Sequence, residues 1–382
     1  MTGTERRVTA VLASLISARM LGLFMLLPVL ALYAADMGAV APILIGLAVG
    51  VYGVTQASLQ IPLGILSDRI GRRPVIVAGL IVFALGSVAA AMAESVQGLI
   101  LGRALQGAGA ISASVMALLA DHTRPAIRTR AMAVIGVSIG ASFILSLVLG
   151  PVISHWIGVD GLFWLTALLA LVVLVVFLTT VRDAPRVNQR PMDWDALKRA
   201  AADRRLLGLD FGIFILHLML TATFVAIPFA LREMVGLAVQ EHWKVYLGVM
   251  LVSLAGTIPL IIASERGPPR PVIVLAVATL IAAQIVLARS HASLGGVLAG
   301  LWLFFAAFNF LEARLPALLS QMVPDLQRGA ALGVFASAQF LGAFAGGIAA
   351  GWVLGEGGIG SVFVLCAGAA LVWGLSLIAV KL

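Results

Sequence analysis

Apolar runs of about the 20 residues that an α-helix needs to cross a bilayer recur along the whole chain, separated by short breaks rich in charge, proline or glycine. Cut at those breaks, the pattern predicts twelve spanning helices near 8–33, 43–65, 74–93, 97–120, 130–154, 159–180, 207–231, 244–263, 271–289, 294–319, 329–353 and 358–380. The longest polar stretch, 181–206, carries Pro185 and Pro191 and then a helix-like DWDALKRAA from Asp193. It divides the chain into a six-helix bundle over 1–180, a linker, and a second six-helix bundle over 207–382. Trp194, Leu197 and Ala201 share one face of the short linker helix, with Lys198, Arg199, Arg204 and Arg205 around it. That pattern fits a segment lying at the lipid headgroups, or a plain tether. The halves repeat. Residues 62–77 (PLGILSDRIGRRPVIV) and 259–274 (PLIIASERGPPRPVIV) agree at ten of sixteen positions with a constant offset of 197, Asp68 facing Glu265. Parallel six-span repeats point to a transporter rather than a channel or a membrane enzyme.

Composition agrees with the pattern. Hydrophobic residues make up 62% and charged residues 11% of the 382 positions, against about half and a quarter in soluble proteins, so a soluble globule is excluded. The formal charge of +8 would suit nucleic-acid binding, but the placement of the basic residues argues otherwise. Nineteen of the 25 Lys and Arg fall in the N-terminus, in alternate loops and at the C-terminus, three in the opposite loops (Arg232, Lys244, Arg289) and three inside spans (Arg19, Arg103, Arg314). By the positive-inside rule both termini are cytoplasmic. Met1–Arg7 followed by an apolar run has the form of a signal peptide, yet the run reaches Tyr33 and is read as a retained first span. The single cysteine, Cys366, excludes an intramolecular disulfide.

Gly64–Arg73, GILSDRIGRR, resembles the loop motif GxLaDrxGrr between spans two and three of the major facilitator superfamily, with every signature position present. Arg103 in LGRALQGAGA on span four, and Gly150 with Pro151 on span five, resemble the drug-exporter side of that superfamily. There the antiporter pattern continues with paired glycines, where this chain has Val152, Ile153 and Ser154. RMLGLFMLLPVLALYA from Arg19, NFLEARLPALLSQMVPD from Asn309 and GVFASAQFLGAFAGG from Gly333 are similar to the YajR-type branch of proton-driven exporters. Members of that branch carry a further cytoplasmic domain after span twelve, for which this sequence, ending at Leu382, holds no counterpart. The resemblance implies an all-α fold of two pseudo-symmetric six-helix bundles. It also implies a conformational lock built from Gly64, Asp68, Arg69, Gly71, Arg72, Arg73, Asp121 and Arg130, with Asp68 meeting the start of span eleven near Gly329. A loop carboxylate is suited to accept from the backbone N–H groups at a helix start. The other reading of these charges is topogenic only.

The candidate site residues lie inside the spans. Glu312 sits about seven residues, roughly 10 Å, from the inner end of helix ten. A carboxylate in apolar surroundings favours its neutral form, so it can load and unload a proton. Pro316 leaves the Glu312 carbonyl without its helical donor, and Phe305, Asn309, Glu312 and Pro316 share a face by their spacing. The alternative is a static Glu312–arginine pair. Arg19, in mid-span, costs about 2.5–3.5 kcal/mol to insert and needs a partner: Glu312, an anionic or zwitterionic substrate, or helix carbonyls. Arg103 and Gln106 form a second polar face. His217 and Thr221, followed on the same face by Phe224, point inward if span seven lines the cavity, as the resemblance implies; histidine titrates near neutrality and can relay a proton. Tyr52, Gln56 and Gln60 form a stripe on span two, and Gln339 stands on span eleven; each suits either interhelical hydrogen bonding or substrate contact. No nucleotide-binding loop and no metal or nucleophile constellation is present in the sequence, so an ion gradient is the energy supply expected, with no cofactor. The expectation is a monomeric secondary transporter of a bacterial inner membrane that exports a small amphipathic solute against protons. The partners expected are a small-molecule substrate, protons and the lipid bilayer, with no nucleic acid. The alternatives are a facilitator or proton symporter working inward, and a non-transporting receptor or scaffold on the same fold.

Overall fold

The computed structural model describes residues 1–181, 201–324 and 327–379. The linker helix expected from Asp193 falls almost wholly outside the described residues. Every regular element among the described residues is helical, as hydrocarbon requires, because a helix satisfies its own backbone hydrogen bonds. Ten helical segments are long and apolar enough to cross a membrane. Two of these, Pro125–Thr180 and Arg328–Ala379, run to 56 and 52 residues. Unbroken, they would each measure about 80 Å, against a hydrocarbon thickness of about 30 Å. Each in fact contains two helices joined at a glycine with positive φ, Gly158 (75°) and Gly358 (74°), a conformation glycine adopts without steric cost. Divided there, the segments are consistent with the twelve spans expected.

Two spans expected to be continuous are broken. The first runs Gly3–Leu26 and resumes at Leu30–Asp36, because Pro28 has no N–H to donate within the helix. The fourth runs Val96–Ala108 and resumes at Ser112–Asp121. At the break a side chain on Gly109 would press on the Gly79 carbonyl oxygen and on Phe83. The second, third, eighth, ninth and tenth spans are Pro42–Ile70, Arg72–Ala91, His242–Arg266, Pro269–Ser290 and Leu294–Met322. The seventh, Arg204–Phe229, runs into a short π-helix, Ala230–Met234, just after Pro228.

The described residues form two compact units. One comprises those of Met1–Leu30 and Val54–Asp193, the other those of Ala31–Gly53 and Trp194–Leu382. In the first, span one packs along the fifth and sixth spans, where a side chain on Gly150 would collide with the Met25 carbonyl oxygen. In the second, span seven packs along the eleventh and twelfth. There side chains on Gly342 and Gly346 would collide with the carbonyl oxygens of Phe214 and Leu218. Small residues at these positions let the backbones approach, the main source of helix association in a bilayer. The sequence repeat has a structural counterpart: Arg73 donates to the Leu178 carbonyl at the end of span six, 2.8 Å away, and its repeat mate Arg270 donates to the Leu377 carbonyl near the end of span twelve, 2.9 Å away.

Candidate functional site

In the C-terminal unit, three of the candidate residues meet although they come from three different spans. Gln339 of span eleven places its amide nitrogen 2.8 Å from Nε2 of His217 on span seven and 3.2 Å from Oε1 of Glu312 on span ten. His217 Nε2 lies 3.8 Å from Glu312 Oε2. The other imidazole nitrogen, Nδ1, faces the Ile213 carbonyl at 3.3 Å, and the Phe308 ring stands beside the imidazole with centroids 5.9 Å apart. The His217 side chain is 12% exposed and that of Glu312 38%, so the cluster is partly open. Among the described residues Glu312 Oε2 has no hydrogen-bond partner. The sequence offered an arginine as the static partner of Glu312; the polar contacts of its carboxylate among the described residues are His217 and Gln339 instead.

The rest of the expected face on spans seven and ten is packed. Asn309 donates to Ser253 Oγ of span eight at 3.3 Å. Phe305 and Phe224 are fully buried, with ring centroids 6.3 Å apart and Tyr246 against Phe224. Thr221 is buried as well. Asp210, in the second turn of span seven, is a buried carboxylate whose Oδ1 has no hydrogen-bond partner among the described residues. The sequence analysis did not single it out.

The polar candidates of the N-terminal unit form a second arrangement. Arg19, 1% exposed, donates to Gln56 Oε1 at 2.5 Å and to Ser112 Oγ at 3.3 Å, and its guanidinium lies over the Phe83 ring at 5.4 Å. Gln56 in turn donates to Gln60 at 3.2 Å. Arg103 donates to Gln106 at 2.8 Å, Gln106 to Ser87 Oγ at 2.8 Å, and Ser87 to the Phe83 carbonyl at 2.8 Å. Ser87, Ser112 and Phe83 were not distinguishable in the sequence from ordinary packing residues. Hydrogen bonds to a charged group contribute about 1.5–3 kcal/mol, so Arg19→Ala is expected to destabilise the purified protein by about that much. Unfolding in mixed micelles reads this directly. Tyr52 belongs to the other unit, where its ring lies 6.2 Å from that of Phe340.

The motif loop brings part of the expected lock together. Arg72 pairs with Asp68, donates to Ser67 Oγ at 2.7 Å, and has Nε 3.5 Å from Asp121 Oδ2. Gly71 has φ 107° at the start of span three, which only glycine tolerates freely. A Cβ on Gly64 would lie 3.4 Å from the Ala113 side chain, an ordinary contact. Arg73 reaches Leu178 as described, and Arg69 is exposed. Arg130 departs from its expected place. It is exposed and forms no hydrogen bond or ion pair among the described residues, whereas Arg128 donates to the Ala120 carbonyl at 3.2 Å at the end of span four. Two residues further along a helix, Arg130 points about 200° away from Arg128. Glu5 was missed. It closes a capping box with Thr2 and accepts from Arg124 Nε at 2.9 Å, so the start of span one is tied to the start of span five.

The sequence pattern of the Major Facilitator Superfamily matches residues 12–258 and 209–382, which together take in nearly the whole chain. The chain belongs to the major facilitator superfamily. This membership makes it an integral membrane transporter, not an enzyme. It is 46% identical over 377 residues to the inner membrane transport protein YajR of Escherichia coli (strain K12), spanning 98% of this chain and 83% of that protein, which places it in the YajR branch and in the inner membrane. It is 27% identical over 344 residues to the multidrug resistance protein MdtH of Aeromonas hydrophila, covering 87% and 83% of the two chains. The fold superposes on a bacterial homologue of the human lysosomal transporter Spinster with TM-score 0.78 at 14% identity, covering 99% and 98%. On a D-xylose–proton symporter the TM-score is 0.75 at 16% identity, covering 98% and 96%.

Proposed function

We propose that this superfamily member is a proton-coupled exporter of a small amphipathic solute, working by alternating access, with both termini in the cytoplasm. The observation that carries the proposal is the meeting of Glu312, His217 and Gln339. A carboxylate and an imidazole within 3.8 Å of each other, partly open and with one carboxylate oxygen unbonded, form a place where a proton can be received, held and passed on. Export of an amphipathic solute takes support from the relative named a multidrug resistance protein. Phe308 beside His217 supplies apolar surface next to this cluster. Arg19 and Arg103 place positive side chains in the other unit, which suits a solute with an anionic group. The test is reconstitution in liposomes carrying a pH-sensitive dye. Addition of a transported amphipathic compound should move protons across the membrane, and a set of amphipathic cations, anions and neutral compounds that moves none would remove the proton-coupled reading.

The Asp68–Arg72–Asp121 contacts belong to the same proposal as a lock that holds one state of the cycle. Arg72→Ala removes the member common to both pairs and is expected to cut transport at least tenfold. Arg130→Ala, which removes an exposed side chain with no ion pair among the described residues, should leave it within about twofold. A transport rate measured for both variants at matched protein levels in vesicles decides the matter, and equal losses would return these charges to a topogenic role.

A further inference from the structure

We propose that Asp36 and Arg232 form a latch that holds the outer end of span one against the outer end of span seven while the carrier is closed to the outside, and that parts when it opens there; this rests on the alternating-access reading above. With the N-terminus in the cytoplasm, Asp36 ends the first crossing and Arg232 the seventh, so both stand at the outer surface. They are 196 residues apart in the chain. Arg232 Nη1 donates to both carboxylate oxygens of Asp36 at 3.1 Å, and Asp36 forms no other ion pair among the described residues.

Each partner lies beyond a break in its span. Asp36 ends the short helix that follows Pro28, and Arg232 sits in the π-turn that follows Pro228. Proline removes a backbone donor from a helix, and π-turns are local departures common at functional sites, so either end can change direction without unwinding the span beneath it. The compact unit of the C-terminal spans takes in Ala31–Gly53, a segment that begins just after Pro28. Within that unit the segment has a second hold through span two, where side chains on Gly46, Gly50 and Gly53 would collide with the carbonyl oxygens of Gly347, Phe344 and Phe340. Such a seam sets backbone against backbone and interlocks few side chains, so parting it disturbs little packing. The Asp36–Arg232 pair adds the charged contact that fixes where the segment sits on span seven.

The strength of the pair suits a contact that must break in every cycle. The Asp36 side chain is 63% exposed and that of Arg232 31%, and an ion pair this open changes an equilibrium constant by no more than about fivefold. Arg232 is also held from its other side. Its Nη2 donates to Glu233 Oε1 at 3.1 Å, and its guanidinium lies 5.7 Å from the centre of the Phe229 ring. When Asp36 leaves, the arginine keeps a carboxylate partner on its own helix end, so parting does not strand a bare charge. Glu241 and Lys244, at the start of span eight, satisfy each other at 2.6 Å.

The experiment is a double electron–electron resonance distance measurement on the full-length protein in lipid nanodiscs, with spin labels on cysteines introduced at the exposed positions Ala41 and Ala238. The native Cys366 is buried and stays unlabelled. A short distance counts closed molecules and a long one open molecules. Arg232→Asp sets a third carboxylate beside Asp36 and Glu233 and is expected to raise the open-to-closed ratio at least about fivefold. Adding Asp36→Arg should return the ratio to within about twofold of wild type. If Arg232→Asp does not fold, the wild-type protein decides by salt: going from about 0.05 to about 0.5 M screens the pair and should raise the ratio about twofold. Two populations whose ratio is unmoved in the deciding measurement, or is not restored by Asp36→Arg, would overturn the latch and leave alternating access in place. A single distance in every variant, at every salt concentration and with or without solute, would overturn alternating access and the latch with it.

Discussion

Glu312→Gln brings proton-driven solute movement to background, while binding of the same solute, measured without a gradient, stays within about tenfold of wild type. The reasoning begins with shape. Glutamine has nearly the volume of glutamate, and its amide oxygen accepts from Gln339 as Glu312 Oε1 does at 3.2 Å. The variant therefore keeps its place on span ten and at least one hydrogen bond. A neutral hydrogen bond contributes about 0.5–1.5 kcal/mol net, so the change in binding is limited to about a factor of ten. What the amide cannot do is take and release a proton at physiological pH, and among the described residues no other carboxylate touches the cluster to replace it. Uptake of solute into inverted vesicles, with and without an imposed pH difference, separates the two quantities. A gradient-driven rate near wild type would exclude Glu312 from the proton path and assign it to helix packing alone.

The route by which this site emerged shows what the sequence carries and where it stops. Span count, the internal repeat and the motif loop were all legible, because they depend on the order of apolar runs and on charge placement, both one-dimensional properties. The sixteen-residue repeat even anticipated a matching pair of contacts, Arg73 to Leu178 and Arg270 to Leu377. Helical spacing also placed Phe305, Asn309 and Glu312 on one face, yet the three have different neighbours. Phe305 joins an aromatic cluster, Asn309 bonds to Ser253, and Glu312 meets His217 and Gln339. Spacing gives the direction in which a side chain leaves its own helix; which neighbouring helix it meets depends on crossing angles and tilts that a single sequence does not encode locally. The breaks at Pro28 and Gly109 were hidden for a related reason, since apolar runs continue through both. Glu5 was masked by the basic residues after it, although Thr2 three positions earlier spells a capping box.

Gly347→Leu is expected to have the second large effect, and to act through backbone contact rather than chemistry. On span two, Gly46, Gly50 and Gly53 recur at spacings of four and three and face Phe340, Phe344 and Gly347 of span eleven, all within the C-terminal unit. A side chain on Gly46 would collide with the Gly347 carbonyl oxygen, and one on Gly347 with that of Gly46 while lying 2.9 Å from Gly50 Cα. Both obstacles are backbone, which cannot rotate aside as a flexible side chain can. Overpacking of this kind costs about 1–3 kcal/mol for a few added methylenes. Gly347→Ala should lower the melting temperature, and Gly347→Leu should lower it further and abolish transport, because four added carbons cannot be accommodated without parting the two helices. Gly248→Ala is the contrasting case. Nothing lies within 4 Å of the position its methyl group would occupy, and alanine exceeds glycine in helix preference by up to about 1 kcal/mol, so this variant should melt at or above the wild-type temperature. Melting curves for the three variants thus test sign as well as size. If Gly347→Leu melts like wild type, span two and span eleven do not hold this close approach in the membrane, and the glycines of that face would have to be explained by the motion of the helices rather than by their contact.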